Sequence, residues 1–256
     1  MITAGIDMGA KTVKVVLLND GKIVAKSLVL TGFDQKKSAE EAYDEALKKA
    51  GKTRADVANV IATGLGRKEV PFAKGQVTMV AADARGVASL FPTARTIIDI
   101  GAEEGRGIKT DGNGKVIDFA VNEKCAAGAG TFVETMSRAI EVPVEQMGPM
   151  SLKSTQEIPL NATCAVFAES EVVSLIHQKM SKSDIAKAVH DGIATRITSM
   201  VRRVGVEKDI ALIGGVAKNP GFVASLLHHL EVDKLLISDD TEYVGALGAA
   251  LAAASA

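Results

Sequence analysis

The chain writes one local pattern twice. Ile6-Asp7-Met8-Gly9 and Ile98-Asp99-Ile100-Gly101 each close a short apolar run and open a turn. After the first, residues 12–18 alternate and are rich in Val, the signature of a strand. Asn19-Asp20-Gly21-Lys22 then carries the Asp-Gly of a tight hairpin, and residues 23–30 supply a third strand. After the second, residues 105–110 and 115–121 flank the turn Asp111-Gly112-Asn113-Gly114. A meander of three strands, met twice and each time followed by helices, predicts two lobes of like fold.

The remaining pattern fills in those lobes. Helices are predicted over 38–50, with Gly51 as the stop, and over 81–90, ended by Phe91-Pro92. A strand at 57–63 feeds the tight turn Gly64-Leu65-Gly66-Arg67. In the second half, helices are predicted over 127–140, 164–180 and 183–204, and strands over 210–213 and 235–238. The Gly- and Ala-rich stretch 243–254 reads as a closing helix. The expected division is an N-terminal lobe over 1–94, with residues 243–256 packing back on it, and a C-terminal lobe over 95–242.

Composition narrows the function classes. The 256 residues carry a net charge of −1, so no global field attracts nucleic acid or an anionic membrane. Aromatics are 4% and Trp is absent, which argues against base-stacking platforms. No apolar run reaches the roughly 18 residues that span a bilayer, and residues 1–7 lack the basic start of a secretory signal. A cytoplasmic protein is expected. There, two cysteines are more readily thiols or ligands than a disulfide.

A strand that ends in Asp-x-Gly has a physical use. The Gly lets backbone approach a phosphate, its neighbouring N–H groups can point at it, and the Asp can hold a hydrated Mg²⁺. One copy is a common turn; two at equivalent points of a repeat are a site. The candidates are Asp7, Gly9, Ala10, Lys11 and Thr12 in the first turn, and Asp99, Gly101 and Ala102 in the second. A third glycine-rich turn follows the strand at 210–213 and offers Gly214, Gly215, Ala217 and Asn219. Three such turns facing one cleft would hold both ends of a nucleotide. Neither the P-loop pattern nor Gly-x-Gly-x-x-Gly occurs.

The cysteines lie in two related settings, Lys124-Cys125-Ala126-Ala127-Gly128-Ala129-Gly130 and Thr163-Cys164-Ala165-Val166-Phe167-Ala168-Glu169-Ser170-Glu171-Val172. Taken alone, they read more readily as buried structural thiols than as ligands. The order of turns resembles the actin/sugar-kinase/Hsp70 superfamily, an α/β, two-lobed, ribonuclease H-like ATPase fold with duplicated βββαβα lobes. The cysteine segments resemble the ATP-dependent activators of 2-hydroxyacyl-CoA dehydratases and the ATPase subunits of benzoyl-CoA reductases. That resemblance runs along essentially the whole chain. Lys14 matches the family's lysine, and Glu103 stands where the activators carry Gln in Asp-Ile-Gly-Gly-Gln-Asp. That departure makes the second turn more similar to a benzoyl-CoA reductase ATPase subunit.

The resemblance implies ATP, Mg²⁺ and one [4Fe-4S] cluster shared across a dimer. A cubane takes four thiolates and this chain has two, Cys125 and Cys164, so a second copy or a homologous subunit would supply the rest across a two-fold axis. It implies Asp7, Asp99 and Glu103 as the catalytic acids. It also implies a low-potential electron passed, with ATP hydrolysis, from a ferredoxin-like donor to a CoA-thioester reductase of the benzoyl-CoA reductase type. The alternatives are a dehydratase activator, or, from another class, a small-molecule kinase of sugar type or a non-catalytic ATP-binding regulator. Glu169 and Glu171 read as first-turn helix acids or neighbours of the metal ligand. Arg67 is balanced between a surface cation and a nucleotide contact. His177, His190, His228 and His229 form no ligand pattern and read as surface or helix-packing residues.

Overall fold

The computed structural model describes residues 1–122, 130–160 and 164–255. The chain divides into two units: Met1–Ile97 with Thr110–Ile117 and Ser238–Ala256, and Ile98–Lys109 with Asp118–Ile237. The division falls at Ile97/Ile98, not at residue 94. The hairpin tip Thr110–Ile117 goes with the first unit because Thr110 N donates to Arg95 O (2.9 Å) and Gly114 lies against Arg85.

The first unit is built on a five-stranded sheet. Its strands are β1 (Ile2–Met8), β2 (Thr12–Asn19), β3 (Lys22–Leu30), β4 (Val57–Thr63) and the two-residue β5 (Gly75–Gln76), in the order β3-β2-β1-β4-β5. Asp20 and Gly21 both have positive φ, 48° and 79°, so the β2–β3 turn is of the primed kind that matches strand twist. β1 runs antiparallel to β2, with Asp7 opposite Lys14, and parallel to β4, with Asp7 opposite Thr63. α1 (Gln35–Ala50) packs on one face through Ala39, Ala42, Tyr43, Ala46 and Leu47. It starts three residues before the predicted 38 because Asp34 accepts the Lys37 N–H (3.0 Å) as an N-cap. α2 (Met79–Leu90) likewise starts early, capped by Thr78.

The last helix, α8 (Val244–Ala254), joins this unit at close range. A Cβ on Gly5 of β1 would stand 2.0 Å from Ala246 O, and one on Gly248 would stand 1.8 Å from Ala82 O. Thr3 Oγ1 donates to Ala250 O (3.1 Å) across 247 positions of sequence. Small residues on all three elements are therefore a steric requirement, since backbone meets backbone with no room for a side chain.

The second unit holds β6 (Thr96–Ile100), β7 (Gly105–Thr110), β8 (Val116–Asn122) and β9 (Ile210–Ile213), in the order β8-β7-β6-β9. Among the described residues, five helices complete it: α3 (Gly130–Ala139), α4 (Val144–Ser151), α5 (Ala165–His177), α6 (Lys182–Val204) and α7 (Pro220–Leu230). Ile98, Ile100, Phe132, Met136, Ile193 and Phe222 meet in its core. Residues 127–129 of the predicted 127–140 helix lie outside the described residues. α4 adds to the predicted helices; Gly148 and the internal Pro149 hide it in a helical reading. The expected strand 235–238 reduces to one bridge between Ala211 and Leu236. α5 ends at His177 rather than 180, because Lys179 takes a left-handed φ of 59°.

Candidate functional site

Each unit contains the same small arrangement. In the first, Asp7 ends β1. Its Oδ2 accepts from Lys14 Nζ at 3.0 Å, from the facing position of β2. Its Oδ1 faces Gly64, at the end of β4, where a Cβ would stand 2.7 Å away and 2.4 Å from Met8 O. In the second, Asp99 lies in β6. Its Oδ2 accepts from Arg106 Nη1 of β7, and its Oδ1 faces Gly214, just after β9, where a Cβ would stand 2.6 Å away and 2.4 Å from Ile100 O. Gly64 and Gly214 have φ of 93° and 90°, a region that L side chains avoid. So each carboxylate has a cation on one oxygen and bare glycine backbone on the other. The cation stands seven positions after its Asp in both units, because a short turn brings the second strand back opposite the first.

The surrounding turns carry the other predicted residues. Gly9 N donates to Thr12 O (3.1 Å), and Thr31 Oγ1 donates to Gly9 O (2.9 Å), fixing the first turn. Ala10 and Lys11 are exposed there. Arg67 donates to Gly64 O (3.0 Å), so it braces the turn rather than standing free on the surface. Asp83 of α2, which sequence reasoning passed over, is buried beside Asp7. A Cβ on Gly245, in the first turn of α8, would stand 3.1 Å from Asp83 Oδ1 and 3.8 Å from Asp7 Oδ2.

In the second unit, Gly101 N donates to Glu104 O (2.9 Å) to close the β6–β7 turn. Glu103 projects to solvent, whereas Glu104 turns inward and accepts from Arg106 Nη2 at 2.6 Å. The carbonyls of this turn are tied to α3. Gly130 N donates to Gly101 O (2.9 Å), and Thr131 donates to Ala102 O through its N–H (3.0 Å) and Oγ1 (2.9 Å). The turn after β9 keeps Gly215 exposed and Ala217 buried.

Asn219 closes that turn and caps α7, its Oδ1 accepting from Gly221 N (3.0 Å) and Phe222 N (3.1 Å). Its amide nitrogen therefore faces His190 Nε2, 3.0 Å away, and must be the donor. His190 is fully buried, and burial pushes its pKa down to about 4 against the weaker pull of Asp191. The imidazole is thus neutral, with its proton on Nδ1. Sequence reading had no means of pairing two residues 29 positions apart.

Cys164 is half-exposed and occupies the N-cap position of α5, with Ala168 N donating to its carbonyl (2.9 Å). Val166 and Phe167, 68% and 70% exposed, stand beside it. Since α5 starts at Ala165, its first turn holds no acid. This corrects the reading of Glu169 and Glu171 as first-turn residues. Cys125 lies outside the described residues. Among those described, no cluster of three potential metal ligands forms, and no helix is long and apolar enough to cross a membrane.

The donor chemistry fits two groups. Asp7 and Asp99 are hard oxygen donors beside exposed turn backbone, which suits a hydrated Mg²⁺. Cys164 suits one corner of an iron–sulfur cluster.

Residues 4–253 match the BadF/BadG/BcrA/BcrD ATPase family. The activator of lactoyl-CoA dehydratase from Anaerotignum propionicum is 40% identical over 252 residues, covering 98% of this chain and 96% of that one. The crystal structure of (R)-2-hydroxyglutaryl-CoA dehydratase component A from Acidaminococcus fermentans superimposes with a TM-score of 0.96. It is 37% identical and covers 100% of this chain and 98% of that one. A benzoyl-CoA reductase subunit from Thauera aromatica is further away, 33% identical over 260 residues, covering 98% of this chain and 92% of that one. The expectation that the second turn places the chain nearer the reductase subunits is thereby corrected: the substitutions at Glu103 and Glu104 are local, and the rest of the chain favours the activators. The fold is that of the actin and sugar-kinase ATPases, and the chain belongs to the BadF/BadG/BcrA/BcrD ATPase family.

Proposed function

We propose that this member of the family is an ATP-dependent activator of a 2-hydroxyacyl-CoA dehydratase, coupling ATP hydrolysis to delivery of one electron to a partner enzyme. One observation carries the coupling. The β6–β7 turn, expected to hold phosphate, is hydrogen-bonded through Gly101 and Ala102 to Gly130 and Thr131, the first residues after the Cys125 segment. A change in that turn on hydrolysis moves the start of α3, and with it the attachment of Cys125.

The chain's own residues divide the work. In each unit the strand-end carboxylate, Asp7 or Asp99, would offer a hard oxygen donor to a hydrated Mg²⁺, which would supply positive charge at a phosphate. Lys14 and Arg106 hold the carboxylates and offset developing phosphate charge, and Gly64 and Gly214 leave room for close approach. Cys164 and Cys125 hold two corners of the redox centre, and a second copy of the chain holds the other two. A [4Fe-4S] cluster bound there supplies a one-electron store. Exposed Val166 and Phe167 beside Cys164 fit burial against that second copy. The electron comes from a reduced ferredoxin-like donor.

Anaerobic reconstitution with iron and sulfide tests the reading. The wild type should turn brown and elute as a dimer; Cys164→Ser and Cys125→Ser should both lose the iron–sulfur absorbance while retaining nucleotide binding. Intact absorbance in both variants, or a colourless protein that phosphorylates a sugar hydroxyl, would overturn it.

A further inference from the structure

The turn after β9 is held at both ends. At its start Gly214 lies against Ile100 O and Asp99 Oδ1, with no space for a Cβ. At its end the Asn219 side chain is engaged twice. Its oxygen accepts from Gly221 N and Phe222 N, and its amide nitrogen faces His190 Nε2 at 3.0 Å. Between these holds Gly215 is exposed, and Val216 meets the start of α3, where a Cβ on Gly130 would stand 3.1 Å from Val216 Cγ2.

His190 is placed for that one bond. It is fully buried on α6, and among the described residues its Nδ1 has no hydrogen-bond partner. The polar groups around it are committed elsewhere. Ser151 Oγ donates to Gly148 O (2.8 Å), and Asp191 accepts from Ser225 Oγ (2.6 Å) and Lys187 Nζ (2.6 Å). Gly221 closes the remaining side, since a Cβ there would stand 2.9 Å from Nδ1 and 2.0 Å from Ser151 Oγ. A buried ring nitrogen left unmatched opposes folding. An apolar side chain of that volume would leave nothing unmatched on α6, so packing alone does not call for a histidine. What the imidazole adds is an acceptor at the one place that fixes the Asn219 amide.

We propose that His190 is a positioning residue for nucleotide binding: by accepting from Asn219 it holds the end of the Gly214–Asn219 turn in the shape that meets the nucleotide. It lies behind the turn and touches no ligand. A turn held at one end only spends part of its time in other shapes, and affinity falls by that fraction. The inference rests on the nucleotide-binding reading and deepens it.

The test is the affinity of the full-length protein for fluorescent ADP with Mg²⁺ near neutral pH. His190→Leu should weaken ADP about fivefold, the ratio that one neutral hydrogen bond supports. His190→Gln, whose Oε1 replaces Nε2 as acceptor, should stay within about twofold of wild type. His190→Met makes the same deletion with a more adaptable side chain if His190→Leu folds poorly. Asn219→Ser keeps an oxygen to cap α7 but has no amide to hold, so in that background His190→Leu should add no further loss. Wild-type affinity in His190→Leu or His190→Met would overturn the inference while leaving nucleotide binding in place. So would equal losses in His190→Leu and His190→Gln, or the same loss with and without Asn219→Ser, since either assigns the effect to packing. Wild type that binds no ADP would overturn the nucleotide reading and this inference with it.

Discussion

His190 makes a sharp prediction. Its neutral Nε2 accepts from Asn219, and its folded pKa of about 4 lies below the ordinary 6.5. A folded pKa below the unfolded one means that the contribution is fully present above pH 6.5. It is lost as pH falls toward 4, because the unfolded chain takes up a proton that the folded chain refuses. The shift is about 2.5 units, and at about 1.4 kcal/mol per unit the full effect is about 3 kcal/mol. Between about pH 7 and about pH 5 the same linkage gives a loss of about 2 kcal/mol, or about 4–8 °C in Tm for a chain of this size. The control is His190→Gln, whose Oε1 replaces Nε2 as acceptor and does not titrate. Urea denaturation at stepped pH should show wild type losing about 2 kcal/mol more than His190→Gln across that window. His229, also lowered chiefly by burial, is present in both proteins and cancels. Parallel loss in the two would refute the tautomer and the burial argument together.

Two other perturbations follow from the same structure. Gly214→Ala puts a Cβ 2.4 Å from Ile100 O at a φ of 90°. The left-handed conformation alone costs about 1–2 kcal/mol, and ADP affinity should fall with it; unchanged affinity and Tm would mean that the turn relocates freely. Asp184 accepts from Ser154 Oγ, Thr155 N, Gln156 N and Ser181 Oγ, and these bonds, led by the Ser181 hydroxyl, hold its pKa down to about 2. Its stabilisation is present above pH 3.8 and is lost as pH falls toward 2, so near neutrality Asp184 should add no pH dependence to wild-type stability. Asp184→Asn should instead loosen residues 154–156 at pH 7, seen as faster proteolytic nicking between α4 and α5; nicking at the wild-type rate would count against the anchor.

Much of the fold was legible in residues 1–122 because its signals are local. Val-rich alternation, Asp20-Gly21 and the repeated Ile-Asp-x-Gly each act over a few residues. What escaped depends on distance or on weak propensity. α4 carries Gly148 and Pro149, so nothing in its composition announces a helix, yet Gly148 is there because Asn219 and Pro220 press against it. β5 is too short for any periodicity. The site was half visible. Asp7, Asp99 and Gly214 stood out as turn chemistry, whereas Gly64 looked like an ordinary tight turn until its backbone was seen against Asp7. Arg106 and Glu104 were hidden by a different cause: an ion pair buried in a turn has the same composition as a solvated one. Asn219 and His190 meet through tertiary packing, which no window of sequence contains.

The contact between Gly5 and α8 has a consequence in time. β1 leaves the ribosome well before the helix that covers it. At about 5–20 residues per second, the 247 positions between Thr3 and Ala250 take about 12–50 s to synthesise. Throughout that interval the Ala4–Ile6 stretch of the nascent sheet has one face without its cover, while the second unit, encoded in between, has all of its own strands and helices. The chain is thus made in an order that completes the inserted unit before the one that surrounds it, and a chaperone that shields apolar strands has its longest task at the first unit.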